Sequence, residues 1–176
     1  MRKYQVAVLV MLILGLAVSV MAQNWNNQSS TYYTISIPST WTVAMETDSL
    51  FVATMQGSAL TPLTVIVGVD PISEEEKDMS LEELAAKSLE EGNAEFIAMG
   101  LEDAIDVVES GEVKFNSYTA YHHLVKIAVM GMNITTDSYI FTKDNQSIQL
   151  MIMGDDTDIQ AQAPQIASIK KSFKLK

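Results

Sequence analysis

Alternating apolar and polar residues recur through most of this chain, and this pattern favours a fold built mainly from β-strands. Successive side chains of a strand point to opposite faces, so a period of two indicates a strand with one buried face. The predicted strands cover residues 33–37, 49–55, 63–69, 105–113, 118–130, 133–142 and 146–153. The last three are expected to pair sequentially in antiparallel fashion, with a turn around Gly131.

Two helices interrupt the strands. Ser80 is a good N-cap with Glu83 three residues later, which predicts a capping box at the start of the first helix. The second helix is expected over 159–171, and Pro164 suits its first regular turn better than its interior. The sequence therefore predicts an α+β fold with a central antiparallel β-sheet.

The N-terminal segment indicates export. Arg2 and Lys3 precede an apolar run over 6–21, and Ala22 is a small residue at an expected cleavage site. We therefore interpret residues 1–22 as a signal peptide, 23–31 as a polar tether and 32–176 as the folded domain. The alternative is that the segment stays uncleaved as an anchor, which is the one case in which we expect membrane association. Both interpretations place the domain outside the cytoplasm.

Composition restricts the classes of ligand. The formal net charge is −11, and loss of Arg2 and Lys3 would bring it to −13. A charge of this sign disfavours nucleic acid and anionic lipid as partners. The chain has no cysteine, which excludes thiol catalysis, disulfides and cysteine metal sites, and Arg2 is its single arginine. Bidentate recognition of phosphate or carboxylate depends on arginine, so such ligands are also disfavoured.

Three short motifs, taken in order along the chain, resemble those of a known family. The first is a strand that runs into Pro38-x-x-Trp41, in the segment YTISIPSTW. The second is the capped helix that begins at Ser80, and the third is a strand hairpin followed by a terminal helix that ends over 169–174. Together these motifs resemble the PsbP-like family, which is named after the extrinsic lumenal subunit of photosystem II. The similarity covers about residues 31–176.

The resemblance implies a central antiparallel sheet with helices packed on its faces, an α/β/α sandwich. Members of the family include photosystem accessory subunits, a Ran-GTPase-binding regulator and exported prokaryotic proteins of unknown role, so the resemblance implies a binding domain rather than an enzyme. The plant subunit has a lysine-rich docking surface, whereas this chain is acidic. We therefore transfer neither photosystem docking nor any functional residue.

A strongly acidic stretch is the first candidate site. Between Asp70 and Glu112 there are 15 acidic residues against two lysines, and the remainder of the chain after residue 22 is neutral. One interpretation is a docking face for a basic extracytoplasmic protein, and the other is a solvated helix surface that keeps the protein soluble. The candidate partner-binding residues are Glu82, Glu83, Glu90 and Glu91.

Metal binding is the alternative function. Asp155, Asp156 and Asp158 offer oxygen ligands to calcium. Their spacing lacks the glycine and distal glutamate of an EF-hand loop, and helix capping is the favoured explanation. Methionine pairs two residues apart could share a strand face and coordinate copper(I), although they also suit a core. These pairs are Met130 with Met132 and Met151 with Met153.

A hydrolase is the third hypothesis, because a strand carboxylate could act with His122 or His123. Adjacent strand residues point to opposite faces, so the two histidines are not expected to share a ligand, and one is expected to face solvent. No motif such as G-x-S-x-G or H-E-x-x-H supports catalysis. We therefore expect a non-enzymatic accessory domain of an extracytoplasmic complex that requires no cofactor.

Overall fold

A computed structural model describes residues 24–57, 61–98, 104–129 and 131–176. The predicted signal peptide lies outside these residues, as does Met130. The strands are β1 (Trp25–Ser29), β2 (Tyr33–Pro38), β3 (Thr42–Glu46), β4 (Leu50–Met55), β5 (Leu63–Pro71), β6 (Ile105–Phe115), β7 (Tyr118–Val129), β8 (Met132–Lys143), β9 (Gln146–Asp155) and β10 (Lys174–Leu175). The helices are α1 (Leu81–Ala98), α2 (Asp156–Ala161) and α3 (Ala163–Ser172).

A seven-stranded antiparallel sheet forms the centre of the molecule, in the order β3-β4-β5-β9-β8-β7-β6. Strands β5 and β9 occupy its middle and are buried on both faces, which agrees with their nearly continuous apolar sequences. The predicted hairpin between β7 and β8 turns at Gly131, whose φ of +79° suits glycine. Strand β6 lies at one edge of this sheet.

Alternate residues of the central strands enter two separate cores. Val65 and Val67 contribute to a core that also contains Ile166 and Ile169 of α3, whereas Ile66 packs against a second core that includes Leu89 of α1. Helices α1 and α3 therefore cover opposite faces of the large sheet. This arrangement confirms the predicted α+β fold with helices on both faces of an antiparallel sheet.

A second sheet, not expected from the sequence, lies in the layer with α3. Its strand order is β1-β2-β10, and all of its pairings are antiparallel. The assignment of 23–31 as a tether was wrong in part, because Trp25–Ser29 is a strand that pairs with β2. Side chains of β2, including Tyr33 and Ile35, are buried against the first core. The small sheet therefore contributes to the same core as α3.

Helix α1 begins where its capping residues predict, whereas the closing helix begins at Asp156, before the predicted start at 159. The Glu83 backbone N–H donates to Ser80 Oγ at 3.2 Å, and the Ser80 N–H donates to Glu83 Oε2 at 2.7 Å, which confirms the capping box. The predicted closing helix is divided into α2 and α3, and Pro164 lies in the first turn of α3. Among the described residues, no helix is long and apolar enough to cross a bilayer.

Candidate functional site

A groove separates helix α1 from the edge of the large sheet that carries β6 and β7. Its volume is about 480 Å³, which lies within the range typical of ligand-binding clefts. The α1 side contributes two carboxylates and three apolar side chains, and the sheet side contributes three hydrogen-bonding side chains. The lining residues are Glu82, Ala86, Leu89, Glu90, Ala94, Ser110, Tyr121 and His123.

His123 fixes the sheet side of the groove to the helix. Its Nε2 lies 3.3 Å from the Ala85 carbonyl oxygen, and its Nδ1 lies 3.0 Å from Ser110 Oγ. A neutral imidazole satisfies both contacts if Nε2–H donates to Ala85 and Nδ1 accepts from the Ser110 hydroxyl. Burial lowers the pKa of His123, and this effect outweighs the contact with the Ala85 carbonyl, which raises the pKa. The lowered pKa favours the neutral form.

The contact between Ser110 and His123 has the geometry of a nucleophile and its base. The Tyr121 hydroxyl lies 3.5 Å from Ser110 Oγ and also 3.5 Å from Glu82 Oε1. However, a backbone carbonyl rather than a carboxylate engages the second imidazole nitrogen. The arrangement therefore ties β6, β7 and α1 together, and it offers polar contacts to a bound ligand along one wall of the groove.

The four predicted acidic residues of α1 fall into three groups. Glu82 and Glu90 are exposed at the groove, and within the described part of the chain neither forms an ion pair. Glu83 is engaged in the capping box, and its hydrogen bonds from the Ser80 backbone and hydroxyl lower its pKa. Glu91 lies on α1 outside the groove lining and is partly buried. Two of the four predicted residues therefore line the groove.

The lysines of the acidic stretch pair with carboxylates that precede α1. Lys77 Nζ lies 2.5 Å from Glu74 Oε1, and Lys87 Nζ lies 2.5 Å from Glu76 Oε1. Hydrogen bonds from Lys87 and Ser73 lower the pKa of Glu76 to about 2. Both lysines are therefore paired with carboxylates that lie outside the groove lining.

His122 points to the opposite face of the sheet, as predicted, but it does not face solvent and neither does His123. The expectation that one histidine would be exposed was therefore wrong, because helices cover both faces. His122 Nε2 lies 2.9 Å from Asp137 Oδ1 and its ring stacks on Tyr139 at a centroid distance of 4.7 Å. Lys170 of α3 donates to Asp137 Oδ2 and, at 3.0 Å, to the Tyr139 hydroxyl.

This buried polar cluster is stabilised by opposite charges. Burial alone would raise the pKa of Asp137, but the hydrogen bond from His122 and the charge of Lys170 outweigh it and hold the pKa below its ordinary value. Burial alone would lower the pKa of Lys170, but Asp137 and the Tyr139 hydroxyl raise it above its ordinary value. The cluster therefore acts as an ionic link between α3 and the sheet.

Two of the three aspartates proposed for calcium perform separate structural roles, and the third is buried. Asp155 caps α2 by accepting from the Thr157 N–H at 2.9 Å. Asp156 accepts from the Thr135 hydroxyl and lies 3.0 Å from Lys126 Nζ, and both contacts lower its pKa. Asp158 is buried. In the described part of the chain, no three histidine, aspartate or glutamate side chains are grouped to hold a metal ion.

Three of the four methionines proposed for copper lie in or against the core beneath α1. Met153 is buried in this core, and Met132 and Met151 pack against it. Met130 lies outside the described residues. Core packing explains the positions of the three that the structure describes.

Comparison with solved structures identifies the fold as PsbP-like. The chain is similar to cyanobacterial PsbP (CyanoP) from Synechocystis sp. PCC 6803, with a TM-score of 0.64, 12% identity, and coverage of 93% of this chain and 99% of CyanoP. It is also similar to LpqN of Mycobacterium tuberculosis, a protein involved in cell envelope biogenesis, with a TM-score of 0.55, 10% identity, and coverage of 88% and 92%.

A third similar structure is PA94 from Pseudomonas aeruginosa, a protein of unknown function, with a TM-score of 0.55, 11% identity, and coverage of 85% of this chain and 95% of PA94. No protein-family profile matches the chain, and no curated protein matches it in sequence. The structural similarity establishes the fold, and the function has to be argued from the residues of the site because the identities are only 10–12%.

Proposed function

We propose that this protein is an exported, non-enzymatic accessory domain that binds a basic protein of an extracytoplasmic complex through the groove between α1 and the β6 edge. The observation that carries the proposal is the composition of the groove, in which Glu82 and Glu90 flank an apolar strip. A concave surface with acidic rims attracts cationic side chains and accommodates their aliphatic stems.

Two observations support the extracytoplasmic location. The N-terminal segment has the composition of a signal peptide. The similar structures include a cyanobacterial PsbP and a mycobacterial cell-envelope biogenesis protein, and both fit an accessory role outside the cytoplasm. The absence of a catalytic motif from the sequence favours binding over catalysis.

The test is a crosslinking pull-down of the tagged protein from its native envelope fraction or medium, read by mass spectrometry. Glu82→Lys and Glu90→Lys are combined in one variant, because these two carboxylates line the groove. Glu83 is left unchanged, since its substitution would remove a helix cap and confuse loss of binding with loss of folding. We expect a partner that wild-type protein captures to be lost from this variant.

The matched control combines Glu46→Lys and Asp48→Lys, which change the net charge by the same amount at exposed positions around the β3–β4 turn. This control should retain the partner. If both double variants lose the partner equally, or if neither loses it, the groove is not the binding site.

A further inference from the structure

The groove also restricts the shape of what it binds, and this inference rests on the proposed function. Glu82 and Glu90 are eight residues apart on one helix, which places them about 12 Å apart along its axis at 1.5 Å per residue. An extended chain rises about 3.3 Å per residue, so its residues i and i+4 are separated by about 13 Å and point to the same face.

The surface between the two carboxylates is apolar. Ala86 and Leu89 line the groove between them, and Ala86 is an exposed small residue that leaves space above the helix. The residue i+2 of an extended chain faces the same way as i and i+4, and would therefore lie over this strip. An apolar side chain suits that position, since it removes apolar surface from water on both partners.

We propose that the groove receives an extended segment of the partner in which lysine or arginine occupies positions i and i+4 and an apolar residue occupies i+2. The cations contact Glu82 and Glu90, and the apolar side chain packs on Ala86 and Leu89. Tyr121 and Ser110 form the opposite wall and offer hydroxyl groups to the backbone of the segment.

Binding of a synthetic peptide tests this geometry directly. The probe is a fluorescently labelled peptide with the sequence Ser-Lys-Ser-Leu-Ser-Lys-Ser, measured by anisotropy at low ionic strength, where surface charges are least screened. The control peptide, Ser-Ser-Lys-Leu-Lys-Ser-Ser, has the same composition and charge but places its lysines two residues apart. We expect the control peptide to bind at least several-fold more weakly.

Two protein variants separate charge from shape. Glu82→Gln with Glu90→Gln removes two solvent-accessible ion pairs and should raise Kd about tenfold. Ala86→Trp fills the groove without changing its charge, and it should also abolish most binding. The control is Glu46→Gln with Asp48→Asn, which should bind like wild type.

The outcomes are distinct. Equal binding of the two peptides, or full binding by Ala86→Trp, would show attraction to charge without use of the groove and would overturn the inference. No binding of the first peptide to wild-type protein would also overturn it. None of these three results would affect the proposed function if the pull-down still showed a partner lost specifically on charge reversal of Glu82 and Glu90.

Discussion

Replacement of Asp137 with alanine removes the carboxylate at the centre of the ionic link between α3 and the sheet. His122 Nε2 then loses an acceptor at 2.9 Å, and Lys170 remains next to Tyr139 without its counter-charge. Removing one member of a fully buried ion pair costs about 3–5 kcal/mol. The side chains of Asp137 and Lys170 are 16% and 24% exposed, so water offsets part of this loss. We therefore expect Asp137→Ala to lower the free energy of unfolding by about 2–3 kcal/mol.

A domain of this size loses about 2–4 °C in Tm for each kcal/mol, so the variant should melt about 5–10 °C below wild type. Urea unfolding at pH 7, followed by circular dichroism, measures the free energy directly. Lys170→Ala and the double variant complete a thermodynamic cycle, and we expect a coupling energy of about 1–2 kcal/mol between the two positions.

The pH dependence has a definite sign. The lowered pKa of Asp137 means that its contribution is complete above the unfolded value of about 3.9 and is lost as the pH falls through the lower folded pKa. The raised pKa of Lys170 means that its contribution is complete below about 10.4 and is lost as the pH rises through the higher folded pKa. The coupling between Asp137 and Lys170 is refuted if the losses in unfolding free energy of the two single variants at pH 7 sum to the loss of the double variant within about 0.5 kcal/mol.

Three further predictions concern the core, the groove and the first helix. A Cβ at Gly154 would lie 2.9 Å from Leu63 Cδ1 and 3.2 Å from Leu63 Cα. Gly154→Ala should therefore lower the free energy of unfolding in urea by about 1–3 kcal/mol. The control is Gly111→Ala, whose new methyl group meets open space and should cause no measurable loss. Burial lowers the pKa of His123 in the folded protein. As the pH drops below about 6.5, this histidine is therefore protonated in the unfolded chain before it is protonated in the folded one, and the free energy of unfolding should fall. His123→Gln should flatten this part of the profile, and an unchanged slope would contradict the assignment. Ser80→Ala removes an N-cap and should lower the free energy of unfolding by about 1 kcal/mol. Ser80→Asp keeps a capping side chain and should have the stability of wild type. Equal losses in the two variants would exclude capping as the cause.

The larger elements were predictable because each has a local signal. The strands with alternating apolar residues and the capped start of α1 were found close to their observed limits. Strand β1 was missed because WNNQS has no apolar alternation; it is a strand because its backbone pairs with β2. Strand β3 was missed for a related reason, since it is a short edge strand of largely exposed residues.

The partners of the histidines were not predictable, since they depend on strand register. Ser110 lies opposite His123 in the β6–β7 pairing, and a register shift between Val107 and Glu109 determines which residues face each other beyond it. Asp137 reaches His122 from β8, and Lys170 arrives from α3. Sequence spacing contains no signal for any of these contacts. The acidic residues of α1, by contrast, already indicated this helix as a candidate docking surface.

The pairing of β10 with β2 has a consequence for the order of folding. Lys174 and Leu175 pair with Thr34 and Tyr33, so the chain must close a loop of nearly its whole folded length to complete the small sheet. Such distant contacts form slowly, because the entropy of loop closure is lost before the contacts are gained. The hairpin of β1 and β2 can form early, but the third strand of the small sheet, β10, joins it from a distant part of the chain. Removal of residues 173–176 would therefore affect the first strands of the domain as well as the adjacent helix α3.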